Sequence, residues 1–428
     1  MKKLTAALAA LLLLSGVLAG CQKRESASGR TADGKIPIRF MYWNKEDSLA
    51  SLIKLIRERL PDIDFQFEFV DIASYDTMYK VQMAAGEGPD ILTSEKPNPL
   101  GFDNGYSLDL APYDFVKKYA QSSIDALSLN GKVYAVPGVS WFGGFLYNKG
   151  MFDEHGWAIP QTYSEFLDLC EKIKAAGIKP IANPIKNPDR LMHYAIGYIL
   201  PAFIGQPEGR NWDKEFCAGR ATMSASFLPY MEEWAEVVKR GYVTEADLGM
   251  GADQALNEFA LGKAAMLDSG PWDVDTIYGK NPNIKIDMMP FVGKKAETGW
   301  LFGGPGIRFG INSKLGEKGN EKKLDACIRI FDLISTPEGQ IAYWENNKGG
   351  SSFLTGVEFD MPHEYDGVRE VFAAGNVYAP FVQWHDGVFD EFGLRLQGYV
   401  AGTLTLQQVL AATDAKNAEI IAKLKEIR

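Results

Sequence analysis

Residues 36–43, IPIRFMYW, are followed by FQFEF at 65–69 and PDIL at 89–92, and the order of these three stretches decides the fold. The first reads as a strand from Ile36 to Trp43, with Pro37 tolerable only near its start because a proline nitrogen cannot donate to a ladder. Asp47 or Ser48 then caps a helix whose apolar positions, Leu49, Leu52, Ile53, Ile56 and Leu60, recur at helical spacing. Phe65, Phe67 and Phe69 alternate with Gln66 and Glu68, a period of two and hence a strand. A helix over Tyr75–Ala85 leads to a short strand, Asp90-Ile91-Leu92, bounded by Gly88-Pro89. The order βαβαβ predicts a mainly parallel sheet with helices on both faces. Ligands of such sheets bind beyond the carboxyl ends of the strands, which singles out Asn44–Asp47 and Thr93–Lys96.

The same grammar resumes further along. Val133–Val136, Phe145–Tyr147 and Ala264–Leu267 read as strands. Thr162 caps a helix carrying Phe166, Cys170 and Ile173 that ends at Gly177, and Asp253 opens one with Leu256, Phe259 and Ala260 that ends at Gly262. Two such units in a chain of 428 residues predict paired α/β lobes with a cleft between them.

The start of the chain reads as an export signal. Met1-Lys2-Lys3 is basic, Ala6–Leu14 is unbroken apolar, and Leu18-Ala19-Gly20-Cys21 sets small residues before a cysteine. The apolar run is too short for a permanent span. The cleavage pattern resembles the bacterial lipobox, which implies that residues 1–20 are removed and Cys21 is lipidated; an ordinary secretory leader is the alternative. Residues 21–35 are polar, small and aperiodic, as a flexible tether would be. Without Lys2 and Lys3 the chain has 43 basic against 55 acidic side chains, so nucleic acid and anionic lipid are poor partners and a neutral or cationic cargo fits better. Cys170, Cys217 and Cys327 lack metal-like spacing and read as buried thiols rather than a disulfide or nucleophile. His155, His193, His363 and His385 are scattered, so no metal or other cofactor is expected.

Six stretches carry a family resemblance: AAGEGPDI (84–91), NGKVYAVP (130–137), LYNKGMFDEHGW (146–157) with PQTYSEF (160–166), FALGKAAMLDSGPW (259–272) and FGGPGI (302–307). In this order behind a lipobox, they resemble the extracellular solute-binding proteins of ATP-driven importers, in the branch that captures sugars and oligosaccharides. The resemblance covers nearly all of residues 36–428. It implies the two-lobed, type II periplasmic-binding-protein-like fold, each lobe a mainly parallel sheet flanked by helices, joined by three hinge crossovers. Carried onto this chain, the crossings fall near Gly138, Gly303 and Ser335, with lobe 1 formed by 36–138 plus 304–334 and lobe 2 by 139–303 plus 335–428. Small residues suit a hinge, although any one of them also suits an ordinary loop.

A sugar presents an apolar C–H face and a rim of hydroxyls, so its receptor needs flat aromatic rings and side chains that donate and accept. Of the nine tryptophans, Trp234 reads as core and Trp157 and Trp212 as packing or loop residues. Trp43 ends the first strand, and Trp141 follows the first crossing. Trp272 occupies the family's Gly-x-Trp position, and the resemblance places a further stacking aromatic at Trp384. Polar partners are expected from strand-end loops: Asn44, Glu46, Asp47, Ser94, Glu95, Asn183 and Asp268, with capping the competing role for Asp47. Gly303-Gly304 lets backbone N–H groups approach a ligand. The loops depart from the best-known maltose-binding pattern, so only the style of recognition carries over.

The expectation is therefore a monomeric, non-enzymatic receptor, lipid-anchored outside the cytoplasmic membrane. It closes on a sugar or oligosaccharide and presents it to a permease and ATPase encoded as separate chains. The competing readings are a surface glycoside hydrolase, whose two carboxyls would need a defined separation, and a receptor for a polyamine, peptide or chelated metal.

Overall fold

In the computed structural model residues 31–427 are described, apart from 32, 95–104, 126, 130, 298, 305, 347, 349, 381–383 and 386. Two five-stranded sheets are each flanked by helices, with a small hairpin of β4 (Ser128–Leu129) and β5 (Lys132–Val133) beside them. The first sheet has the order β2-β1-β3-β12-β6, from β1 (Ile36–Tyr42), β2 (Ile63–Phe69), β3 (Ile91–Ser94), β6 (Val136–Pro137) and β12 (Arg308–Ile311). The second runs β10-β7-β9-β8, from β7 (Trp141–Asn148), β8 (Lys179–Ala182), β9 (Ala264–Ser269) and β10 (Ile286–Met289), with β11 (Phe302–Gly304) also on β7.

The βαβαβ unit forms as its pattern dictates, with β1 parallel to both β2 and β3. Helix α1 (Ala50–Arg59) buries Leu52, Ile53, Leu55 and Ile56, and α2 spans Ile72–Ala85. The expected cap at Asp47 or Ser48 is not made. A 3-10 turn over Glu46–Leu49 leads into α1 instead, and the Ser48 hydroxyl donates back to the Lys45 carbonyl at 2.8 Å. In the second lobe, Thr162 caps α3 (Tyr163–Ala175) by accepting from the Glu165 N–H at 3.2 Å. Gly177, at φ +77, lets the chain leave that helix through a left-handed turn.

Strand β7 shows why the second sheet is covered on both faces. Phe145 and Tyr147 enter one apolar core with Phe166, Tyr194, Trp234 and Phe291, while Phe142 and Leu146 enter the other with Phe259, Leu267 and Met288. Alternate residues of one strand thus serve two helical layers. The first lobe has its own core, built on Ile38, Phe40, Ile53, Phe309, Ile330 and Phe331.

The pairing is less parallel than the sequence predicts. β12 is antiparallel to β3 and β6, and β7 is antiparallel to β9, β10 and β11. Both β7 and β12 arrive from the other lobe, so each enters its sheet at the edge where the neighbouring strands end. β6–β7 and β11–β12 together make a two-stranded ribbon between the lobes. Pro137 pairs with Arg308, Trp141 pairs with Gly304, and the Gly138 N–H donates to the Ile307 carbonyl at 2.6 Å between them. The chain thus passes from the first sheet to the second over residues 138–140 and back between Gly304 and Arg308, while Gly303 sits within β11.

The third crossing does not lie at Ser335. That serine is buried in lobe 1, with its hydroxyl 2.9 Å from Tyr119 Oη, at the end of α7 (Glu321–Ile334). The next helix, α8 (Pro337–Glu345), returns to α1: Tyr343 enters the lobe 1 core, and the Ser51 N–H donates to Asn346 at 2.8 Å. Val357 and Phe359 still pack on that core, whereas Met361 packs on lobe 2, so the chain crosses between Phe359 and Met361. Helix α8 and the residues Phe353, Leu354, Val357 and Phe359, placed in lobe 2 by the resemblance, thus pack on the lobe 1 core.

Candidate ligand-binding site

The cleft is expected from the sequence at the strand ends nearest the ribbon. In lobe 2 they carry an indole pair: the Trp141 and Trp272 rings are 6.2 Å apart and inclined at 57°, and both are half-buried. Trp272 opens α6 (Pro271–Lys280), and its ring lies against the backbone of Gly270 and Gly143. A Cβ on Gly270 would come within 2.3 Å of that ring, so the glycine makes room for the indole. Gly304, paired with Trp141, has open space where a side chain would stand.

Next to this pair is a polar cluster. Asp268, the penultimate residue of β9, is only 3% exposed, and no donor among the described residues reaches its Oδ2. His193, on α4 (Pro188–Ile199), holds Nδ1 3.8 Å from that oxygen. Burial pushes the Asp268 carboxyl up to about 7, with Arg190 partly opposing. Burial also drives His193 down to about 4, helped by Arg190, so its imidazole is neutral near pH 7. Asp273 accepts from the Ser269 hydroxyl at 2.5 Å, and burial raises its carboxyl too. The indole N–H of Trp272 bears on that same carboxylate, which ties the ring to the cluster.

In lobe 1, β1 and β3 end side by side, bringing Asn44 and Ser94 to one edge, both half-buried. Tyr75 fixes that edge from behind: its hydroxyl lies 2.5 Å from Thr93 Oγ1 and donates to the Thr93 carbonyl at 3.1 Å. Glu46 and Asp47 are exposed, and Glu46 pairs with Arg57 at 3.2 Å.

Three expected contacts are placed elsewhere. Asn183 is fully buried: its amide donates to the Tyr242 carbonyl at 2.8 Å and to Asp247 at 3.2 Å, and it accepts from Tyr194 at 2.9 Å, so it binds its own lobe. Trp384 lies in the lobe 2 core among Trp212, Phe216 and Phe392, without a free ring face. Gly303 is needed for packing, since a Cβ there would meet Val377 at 2.3 Å and the Trp141 carbonyl at 2.5 Å. Trp43 is 6% exposed, held against Tyr42 and edge-on to Tyr75, so it supports the lobe 1 edge more than it offers a surface. Glu95 and Cys21 lie outside the described residues. The sequence reading missed His193, Arg190 and Asp273; only their i, i+3 spacing on α4 and the Asp273 position after Gly-x-Trp hinted at them.

No group of three or more histidine, cysteine or acidic side chains suited to a metal occurs among the described residues. Likewise, no described helix is long and apolar enough to cross a membrane.

The family profile described as "Bacterial extracellular solute-binding protein" matches residues 58–360. The multiple sugar-binding protein of Streptococcus mutans is 26% identical over 356 residues, 81% of this chain and 82% of that one. The melibiose/raffinose/stachyose-binding protein of Bacillus subtilis is 25% identical over 287 residues, 65% of this chain and 66% of that one. Among solved structures, a sugar transporter from Bacillus licheniformis in complex with stachyose superposes with a TM-score of 0.71 at 20% identity, covering 89% of this chain and 99% of that one. With the family matched over most of its length on a two-lobed scaffold of this kind, the chain belongs to the bacterial extracellular solute-binding proteins.

Proposed function

We propose that the protein captures a sugar or oligosaccharide between its lobes and hands it to the permease of an ATP-driven importer. The observation that carries this reading is the half-buried Trp141–Trp272 pair at the lobe 2 strand ends, beside a buried carboxylate. The rings suit the C–H face of a pyranose, and carboxylates and amides suit its hydroxyls. The sugar names of the relatives support the same cargo. Lobe 1 contributes Asn44, Ser94 and the exposed Glu46 and Asp47, while Gly304 offers backbone beside Trp141. Closure about the three crossings follows from contacts that the ligand makes to both lobes only when they meet. Cys21 anchors the protein by lipid to the outer face of the cytoplasmic membrane; of the stretch expected to be a tether, Thr31, Gly34 and Lys35 instead form a hydrogen-bonded turn on lobe 1, with Thr31 buried.

A thermal-shift screen against mono- and oligosaccharides, with polyamines as the competing class, tests the cargo, because selective binding raises the melting temperature by mass action. A shift with glycans and none with polyamines is expected. The reverse pattern, or the release of new reducing ends from the glycans, would overturn the reading.

A further inference from the structure

We propose that Asp268 is a proton-linked specificity residue: a ligand hydroxyl donates to its buried carboxylate, and capture expels a proton from that carboxyl group to water. This rests on the sugar reading above. The geometry is that of an acceptor kept waiting. Asp268 is 3% exposed near the end of β9, four residues before the Trp272 indole, and no donor among the described residues reaches Oδ2. A buried acceptor without a donor is costly, and a hydroxyl that satisfies it is recognised strongly.

The charged and titratable surroundings say which state waits. From α4 it is faced by Asp189, Arg190, His193 and Tyr194, and from α6 by Asp273; β7 sets the neutral Phe145 opposite it, and Phe302 of β11 lies against the His193 ring. His193 is neutral, Arg190 is shared with Asp189 at 3.8 Å, and Asp189 and Asp273 repel a further negative charge. The free protein therefore holds Asp268 partly protonated near pH 7. A donated ligand hydroxyl favours the carboxylate and moves its titration down. Affinity is then highest above pH 7 and falls as pH drops through it. The expected weakening from pH 8 to pH 6 is about tenfold, with release of about half a proton per ligand at pH 7.

The test is calorimetric titration with stachyose, raffinose and maltotriose at pH 7 in phosphate and in Tris, which differ in ionisation enthalpy. Heats that differ between the buffers by about half a proton's worth, together with the loss of affinity at pH 6, are expected. In Asp268→Asn both dependences should vanish, and binding at pH 8 should weaken about tenfold or more. Binding with equal heats in both buffers would overturn the inference and leave the sugar reading standing; no binding of any of the three would remove both. A ligand-free measurement needs no sugar. Asp268 titrates from 3.8 in the unfolded chain and from about 7 when folded, so the wild type loses stability relative to Asp268→Asn as pH rises through that window. A difference in melting temperature that stays flat from about pH 4 to about pH 8 would also overturn the inference.

Discussion

At the scale of single residues, the proposed site separates side chains held by their own lobe from side chains proposed to meet a ligand. Asn183 and Trp272 illustrate the two cases. Both stand after strand ends, which is why the pattern picks out both. The amide of Asn183 is consumed by Tyr242, Asp247 and Tyr194, whereas Trp272 rests on glycine backbone and stays half-buried. Trp272→Ala should abolish the glycan-induced thermal shift while moving the melting temperature of the free protein little. Asn183→Ala should do the opposite: it strands buried partners and costs about 1–3 kcal/mol of stability, with the glycan affinity unchanged. Melting curves with and without ligand read both. Strand-end position was legible because it follows from periodicity. Which strand-end side chain is already satisfied was not, since its partners come from distant segments. The same holds for the His193–Asp268 approach, whose members lie on different elements. Trp384 shows a related limit: a tryptophan in a loop can fold back onto Trp212 and Phe216 as readily as face a cleft.

At the scale of elements, capped and strongly periodic segments were readable and ribbons were not. Thr162 and Gly177 bound α3 where composition places them. β7 was visible only as Phe145–Tyr147, because Gly143-Gly144 weakens strand propensity, yet pairing with β11 extends it back to Trp141. Its antiparallel direction was hidden because a strand that crosses between lobes looks locally like any other. The ribbon depends on close backbone approach: a Cβ at Gly306 would stand 1.5 Å from the Val139 carbonyl. Gly306→Ala must therefore push β11–β12 away from β6–β7 at the crossing. The expected result is a lower melting temperature together with weaker glycan binding, although Gly306 is not among the residues proposed to touch the ligand. Calorimetry showing unchanged affinity in a stably folded Gly306→Ala protein would mean that the ribbon does not set the lobe geometry.

At the scale of the whole molecule, the paired lobes follow from chain length and the repeated α/β grammar, but the lobe boundary did not. The crossing expected at Ser335 was placed there by resemblance, and tertiary packing decides otherwise: α8 carries Tyr343 into the lobe 1 core, and Phe359 still stacks on Trp344 at 5.0 Å. This placement makes a measurable claim about closure. A ligand that bridges the lobes shifts the population toward a closed state, and the backbone angles that change must lie in the segments joining the two cores. Here those are Gly138–Ser140, the stretch between Gly304 and Arg308, and the stretch between Phe359 and Met361. Ser140 ties the first to residues of the third segment's approach, since its N–H donates to the Ser351 carbonyl at 2.8 Å and its hydroxyl accepts from the Ser351 N–H at 2.6 Å. Hydrogen exchange with and without a bound glycan should therefore change protection at these three crossings, while α8 keeps the high protection of the lobe 1 core in both states. Ser335→Ala should lower stability through the lost Tyr119 contact and leave affinity as it was. Altered affinity in that variant, or ligand-dependent exchange centred on residues 335–337, would restore the hinge to Ser335 and move α8 out of lobe 1.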